Sequence, residues 1–248
     1  MLPLRPSLSI LSSSPRTGSN PSRPQSSVPL ASFHPFTLFD LQTFTDLDIA
    51  GMDIPARVQF ATSLPGAKPI SLIGTANHSG QTNLAPFSSV VHLGSSPCLL
   101  GMVSRPDGAM RHTLANLVET RAWTINHLHP DILAAAHQCS ARYPKEVSEF
   151  DATGLTAHYE PGFLAPFVKE CRIRIGLELE DIISIPTNGT QLIVGRVVIV
   201  QVAKEHLLDN GGIDLTSLDC LASTALGTYF RLQHYASLAD AKLENPTI

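Results

Sequence analysis

Residues 69–91, the most informative part of the chain, read PISLIGTANHSGQTNLAPFSSVV. It predicts an apolar strand over 69–75, a polar turn over 76–82 and a returning strand over 84–93. Pro86 has no N–H for a ladder, which places the returning strand at an edge or a bulge. Small residues and hydroxyls are poor core formers, but they let a flat, polar-edged ligand approach the backbone closely. The hairpin therefore indicates a ligand site.

The rest of the chain predicts a mainly β fold. Strands are expected at 97–104, 122–128, 170–185 and 191–203, of which 192–202 is apolar enough to be buried. Asn188-Gly189 is typical of a hairpin turn between the last two. A short helix is expected within 40–66, and longer ones after Thr113 and over 130–143. Six or more strands with two inserted helices and no βαβ repeat indicate an antiparallel barrel.

Composition excludes several function classes. A net charge of −4 over 248 residues argues against a nucleic-acid partner. No apolar run approaches the ~18–20 residues that span a bilayer, so no membrane association is expected. No G-x-G-x-x-G is present, so no dinucleotide-binding Rossmann unit is expected.

The N-terminal region differs in composition from the rest. Residues 1–39 are rich in Ser and Pro and hold three arginines but no acid. They are predicted to be a disordered tail or, alternatively, a mitochondrial transit peptide, although the prolines at positions 3, 6, 15, 21 and 24 interrupt the helix an import receptor reads. Residues 40–248 form the predicted domain. The expected location is the cytoplasm, with the mitochondrion as the alternative.

Cysteines and histidines do not predict a metal site. The four cysteines lie far apart without a C-x-x-C pair, which favours reduced, mostly buried thiols over zinc or disulfides. His127, His129 and His137 are close in sequence. With no acidic partner beside them, surface or capping roles are favoured over metal binding.

A second polar segment covers residues 104–113. A phosphate is held by N–H donors, a helix N-terminus and one or two cations. Ser104 and Arg105 end a strand, Gly108 permits a turn, Arg111 adds a cation and Thr113 is a candidate N-cap. The segment predicts a phosphate site.

Together these motifs resemble the flavin reductase-like family of FMN-binding split barrels. The resemblance covers roughly residues 55–235, and its most specific part is Asn-Leu-Ala-Pro-Phe-Ser at 83–88. Supporting matches lie at 69–75, 107–108, 111–117, 119–120, 123–126, 195–198 and 226–229. It implies a homodimeric split barrel that holds FMN near the interface.

The expected cofactor site follows from the hairpin, the phosphate segment and the resemblance. No catalytic residue is identified. The predicted FMN-binding residues are Thr75, Asn83, Leu84, Ala85, Ser88, Ser89, Ser104, Arg105, Arg111 and Thr113.

The expected function is an FMN-containing oxidoreductase that takes hydride from NADH or NADPH and passes electrons to a further acceptor. Two alternatives stay open: an FMN-dependent enzyme acting on a small organic substrate, and a non-catalytic flavin- or haem-binding module. Two departures bear on the choice. Members often have Lys-Asp-Thr where this chain has Arg111-His112-Thr113, and many have a His where this chain has Gln201.

Overall fold

The computed structural model describes residues 40–106, 112–225 and 227–241. Residues 43–235 form one compact unit, and the described residues 40–42 and 236–241 belong to a second unit. Every strand pair within the described ranges is antiparallel. The predicted fold class, a mainly β antiparallel barrel with inserted helices, is confirmed.

The helices are α1 (Asp46–Gly51), α2 (Ile54–Ser63), α3 (His112–Thr120), α4 (Leu133–Gln138) and α5 (Glu149–Thr153), with 3₁₀ turns at Pro130–Ile132 and Lys204–His206. The strands are β1 (Lys68–Pro69), β2 (Ser71–Ala76), β3 (Thr82–Phe87), β4 (Val90–Ser95), β5 (Cys98–Ser104), β6 (Ala122–His127), β7 (Ala157–His158), β8 (Phe167–Val168), β9 (Ile173–Ile185), β10 (Thr190–Val202), β11 (Leu221–Ala225) and β12 (Thr228–Arg231).

The largest sheet must curl into a barrel. Its seven strands lie in the order β3-β2-β6-β9-β10-β5-β4, so β3 and β4 are its two edges. Only Ser88 and Ser89 separate these edges in the chain. Three peptide links reach about 11 Å, so the two edges must lie close together. The single strand predicted over 84–93 is therefore wrong: it is two strands at opposite edges of one sheet.

The strand β2 lies between two hydrophobic clusters. Ile73 packs inside the barrel with Trp123 and Leu177. Leu72 points the other way, into a cluster with Leu84 under α4 and α5. All six residues of β2 are buried because both of its faces are covered, which explains a continuous apolar run instead of alternation.

Several local predictions need correction. The predicted strand 69–75 is divided, because β1 pairs with β11 in a separate three-stranded sheet. The lead-in over 40–66 holds two helices instead of one. The helix predicted over 130–143 ends at Gln138, where the N–H groups of Ser140 and Ala141 turn to carbonyls three residues back. The short helix α5 was not predicted.

The predicted hairpin between β9 and β10 is confirmed, but the predicted burial of its second strand needs correction. Gly189 closes it with a φ of +72°, as the Asn-Gly pair predicts. The strand predicted as buried is buried only around Ile193 and Val194; Val198 and Val200 are 37% and 52% exposed. Among the described helices, none is long and apolar enough to cross a membrane.

Candidate functional site

The tip of the β2–β3 hairpin brings three predicted residues together. Thr75 and Asn83 lie directly opposite each other, and both are buried. The Asn83 amide donates to Oγ1 of Thr113 at 2.8 Å. Asn116, one turn along α3, donates to Oγ1 of Thr75 at 3.3 Å. Asn116 was missed by sequence reasoning, although its i+3 spacing from Thr113 places both on one helix face.

Strand β3 carries the family motif at residues 83–88, and its backbone N–H groups donate hydrogen bonds to other residues of the same chain. Leu84 has a fully buried side chain, and its N–H donates to Oε2 of Glu149 at 2.9 Å. Because N–H directions alternate along a strand, those of Asn83 and Ala85 point to β2. Pro86 then falls at an outward position, where its missing N–H costs no ladder bond, as predicted for an edge strand. FMN contacts by Asn83, Leu84 and Ala85 stay predictions.

The bend between β3 and β4 places two predicted serines beside the end of β5. Ser88 and Ser89 are half-buried and lie between the paired segments of the two edge strands. Oγ of Ser89 donates to the carbonyl of Val103 at 2.9 Å. Ser104, the next residue, is buried at the end of β5, and Arg105 beyond it is exposed. The bend is thus held against β5 one residue before Ser104 and two before Arg105.

The chemistry of these donors fits a phosphate monoester. Arg105 offers a cation, and Ser88 and Ser104 offer hydroxyls, which are groups that anionic oxygens accept from. The Ser89 hydroxyl donates to Val103 in this structure and would have to release that carbonyl to donate to a phosphate. Thr113 lies in the first turn of α3, where helix N–H groups add partial positive charge. Arg111 lies outside the described residues.

The carboxylates of Glu149 and Glu160 have shifted pKa values. Burial raises the pKa of Glu149, which the Leu84 N–H and the charge of His112 partly offset. Glu160 has a lowered pKa, because His158 and then Gln201 hydrogen-bond to it. Nε2 of His158 lies 3.0 Å from Oε1 of Glu160.

Gln201, the departure from the family pattern, therefore joins this second polar cluster. Its side-chain nitrogen donates to Glu160. Its Oε1 is buried and has no hydrogen-bond partner among the described residues.

A cavity of about 410 Å³ lies elsewhere on the sheet, lined by Arg121, Phe163, Leu164, Glu178, Glu180 and Arg196 among others. None of the predicted FMN-binding residues lines that cavity.

The histidines occupy separate places. Burial lowers the pKa of His127 to about 4. His129 is buried, with Nε2 3.0 Å from the Glu170 carbonyl and Nδ1 3.4 Å from Asp131. The prediction that no acidic partner lies beside these histidines is therefore wrong, because Asp131 lies beside His129. No described group of three His, Cys, Asp or Glu residues is arranged to hold a metal ion.

The four thiols agree with the prediction. All are free, with Cys139, Cys171 and Cys220 buried and Cys98 exposed.

Comparisons with known proteins agree with this architecture. A protein from Shewanella frigidimarina, described as a flavin reductase with a split barrel domain, is 41% identical with a TM-score of 0.77; the match covers 81% of this chain and 100% of that one. Nitrilotriacetate monooxygenase component B from Bacillus cereus is 23% identical with a TM-score of 0.70, covering 80% and 98%. An uncharacterized Halalkalibacterium halodurans protein is 30% identical over 198 residues, 77% of this chain and 91% of that protein.

A family model described as the flavin reductase like domain matches residues 66–215, more than half of the chain. Together with the seven-stranded curled sheet and its split-barrel neighbours, this match shows that the chain belongs to the flavin reductase-like family.

Proposed function

We propose that this protein is an FMN-binding oxidoreductase that accepts hydride from NADH or NADPH and passes electrons to a further acceptor. The observation that carries the proposal is the group of hydroxyls at the β3–β4 bend beside Ser104 and Arg105. This donor set suits one phosphate, and it stands next to the strand that bears the family signature. Family membership supports a flavin as the ligand.

The chain's own residues would bind and orient the cofactor. Arg105 and the hydroxyls of Ser88 and Ser104 would hold the phosphate by charge-assisted and ordinary hydrogen bonds, and Ser89 would join them by releasing the Val103 carbonyl. When bound, FMN supplies the two-electron acceptor of the reaction. For hydride transfer the protein mainly has to position the two reactants and exclude water. A nucleophile–base pair is therefore not required.

A second candidate is an FMN-dependent enzyme that acts on an organic substrate. The cluster of His158, Glu160 and Gln201 favours keeping it, because a half-exposed imidazole and a carboxylate stand 3.0 Å apart outside the predicted FMN site. Such a pair can move a proton to or from a substrate. A non-catalytic flavin-binding module is the third candidate, and reduction by nicotinamides separates it from the first.

Purified protein is expected to carry FMN rather than FAD. One cation-bearing donor set serves one phosphate, and no second nucleotide motif is present in the sequence. The cofactor should be released by heat and identified by chromatography. Its absorbance should bleach when NADH or NADPH is added anaerobically. FAD as the main species contradicts the phosphate-site assignment; FMN that no nicotinamide reduces contradicts the hydride-transfer function.

The proposed assembly is a homodimer. Val91 and Leu93 on β4 are 45% and 42% exposed, and Ile183 on β9, which is separated from β4 by β5 and β10, is 48% exposed. A Cβ built at Gly101 would lie 3.0 Å from both Leu93 and Leu192, so these two side chains share one face. An exposed apolar sheet face supports pairing with a second copy, and C2 pairing is the commonest form.

The C-terminal aromatic residues Tyr229 and Phe230 add little to this proposal. Tyr229 packs on the outer hydrophobic cluster of its own chain, and its hydroxyl lies 2.7 Å from Nδ1 of His137. Phe230 is 42% exposed. The apolar face on β4, β9 and β10 therefore carries the proposal.

Light scattering at micromolar concentration is expected to give about twice the chain's 26.7 kDa. Ile183→Asp should shift the protein toward monomer, because an interface core disfavours an unpaired charge. Leu208→Asp is the matched control, since Leu208 is 44% exposed in a turn after β10. A monomeric wild type contradicts the assembly.

A further inference from the structure

Glu149 is a buried carboxylate to which the proposed reaction assigns no role. It is 6% exposed and is the first residue of α5. Helix α5 lies in the segment 129–165, which supplies none of the predicted FMN-binding residues. Burying a carboxylate is costly unless hydrogen bonds compensate it. The contacts of Glu149 must therefore explain why it is there.

Glu149 and its neighbour Ser148 hold the outer edge of β3 by hydrogen bonds. Oε2 of Glu149 accepts the N–H of Leu84 at 2.9 Å. Beside it, the hydroxyls of Ser148 and Thr82 are 2.6 Å apart. Because β3 is an edge strand, the outward N–H of Leu84 meets no neighbouring strand, and the carboxylate takes that place. Two adjacent residues of the chain thus hold two positions of β3.

The same carboxylate is connected to the start of α3. Leu84 follows Asn83, whose side chain donates to Thr113 at 2.8 Å. His112, the first residue of α3, lies close enough to Glu149 to favour its charged form. Through Leu84 and Asn83, Glu149 is therefore linked to β3 and to the start of α3, which carry the predicted site residues Asn83 and Thr113.

We propose that Glu149 is a positioning residue of the flavin site, whose carboxylate holds β3 at a fixed distance from the start of α3. The inference rests on the proposed function, since it concerns the same site. Glu149 acts through Leu84 and is not itself a flavin contact. A role in stability alone would leave flavin affinity and spectrum unchanged in a folded variant.

The test compares three variants of the full chain: Glu149→Gln, Glu149→Leu and the control Asp151→Asn. FMN affinity is measured by fluorescence titration, the bound flavin by its visible spectrum, and folding of the apoprotein by thermal melting. Glutamine keeps an oxygen that can accept the Leu84 N–H, so its Kd should stay within about threefold of wild type. Leucine has no acceptor, so Kd should rise about tenfold or more and the flavin spectrum should shift. Asp151, exposed on the same helix, should have no effect.

The outcomes separate this inference from the proposed function. Wild type that binds FMN, with a folded Glu149→Leu variant of equal affinity and spectrum, overturns the positioning role alone. Wild type that binds no FMN overturns both. Should Glu149→Leu not fold, Glu149→Ala carries the test, because it also lacks an acceptor for the Leu84 N–H and adds no bulk. Its Kd should rise about tenfold or more, and an unchanged Kd overturns the proposal.

Discussion

Replacing both Arg105 and Arg111 by alanine is expected to weaken FMN binding about a hundredfold or more. A charge-assisted contact is worth about 1.5–3 kcal/mol, so each arginine alone should account for roughly tenfold to hundredfold. Arg105 is exposed beside the buried Ser104, and Arg111, outside the described residues, is predicted from the sequence. Titration of the apoprotein with FMN measures the effect.

Stability and a distant arginine provide the controls. Arg105 is exposed, so its removal should change the free energy of unfolding little. Arg142→Ala replaces another exposed arginine, after α4, and should leave FMN affinity unchanged. Affinity of the wild type should also fall with added salt, because salt screens charge. A double variant that binds FMN like wild type would show that the phosphate lies elsewhere.

Gly74→Ala is expected to destabilise the fold by about 1–3 kcal/mol or more. A Cβ at this position would lie 2.3 Å from the carbonyl oxygen of Pro166 and 2.5 Å from Oγ1 of Thr124. These two atoms are themselves joined by a 2.7 Å hydrogen bond, so neither moves away freely. For a domain of this size the melting temperature should fall by about 2–4 °C per kcal/mol.

Gly51→Ala is the matched control for this substitution. Gly51 ends α1, and a Cβ there would meet no described atom within 4 Å. Alanine is the better helix former, so the variant should be as stable as wild type or up to about 1 kcal/mol more stable. Equal melting temperatures for Gly74→Ala and wild type would mean that Pro166 does not rest against β2 as described.

The comparison of sequence and structure is most instructive at β3. Pro86 predicts an edge position correctly, because a residue without an N–H can lie only where no ladder bond is needed. The division at Ser88 and Ser89 was not predicted, since Phe87 before them and Val90 and Val91 after them continue the apolar pattern. Closure of the barrel requires the chain to pass there from one sheet edge to the other.

Glu149 could not be predicted as part of the site. It is one acid in a polar segment, and its partner Leu84 is 65 residues away in the chain. The sequence also cannot single out the Leu84 N–H as a partner, because every residue except proline has a backbone N–H. Only packing of α5 on β3 decides that these two groups meet.

The amino-acid sequence is sufficient to predict the local features of this protein: the hairpin turn at Asn188-Gly189, the edge position of Pro86 and the family motif at residues 83–88. These depend on backbone conformations and on spacings of a few residues, which short segments express directly. Which strand edges meet and which buried groups become partners follows from the three-dimensional packing of the chain. Those outcomes depend on the simultaneous burial of residues far apart in the chain, and no local pattern records it.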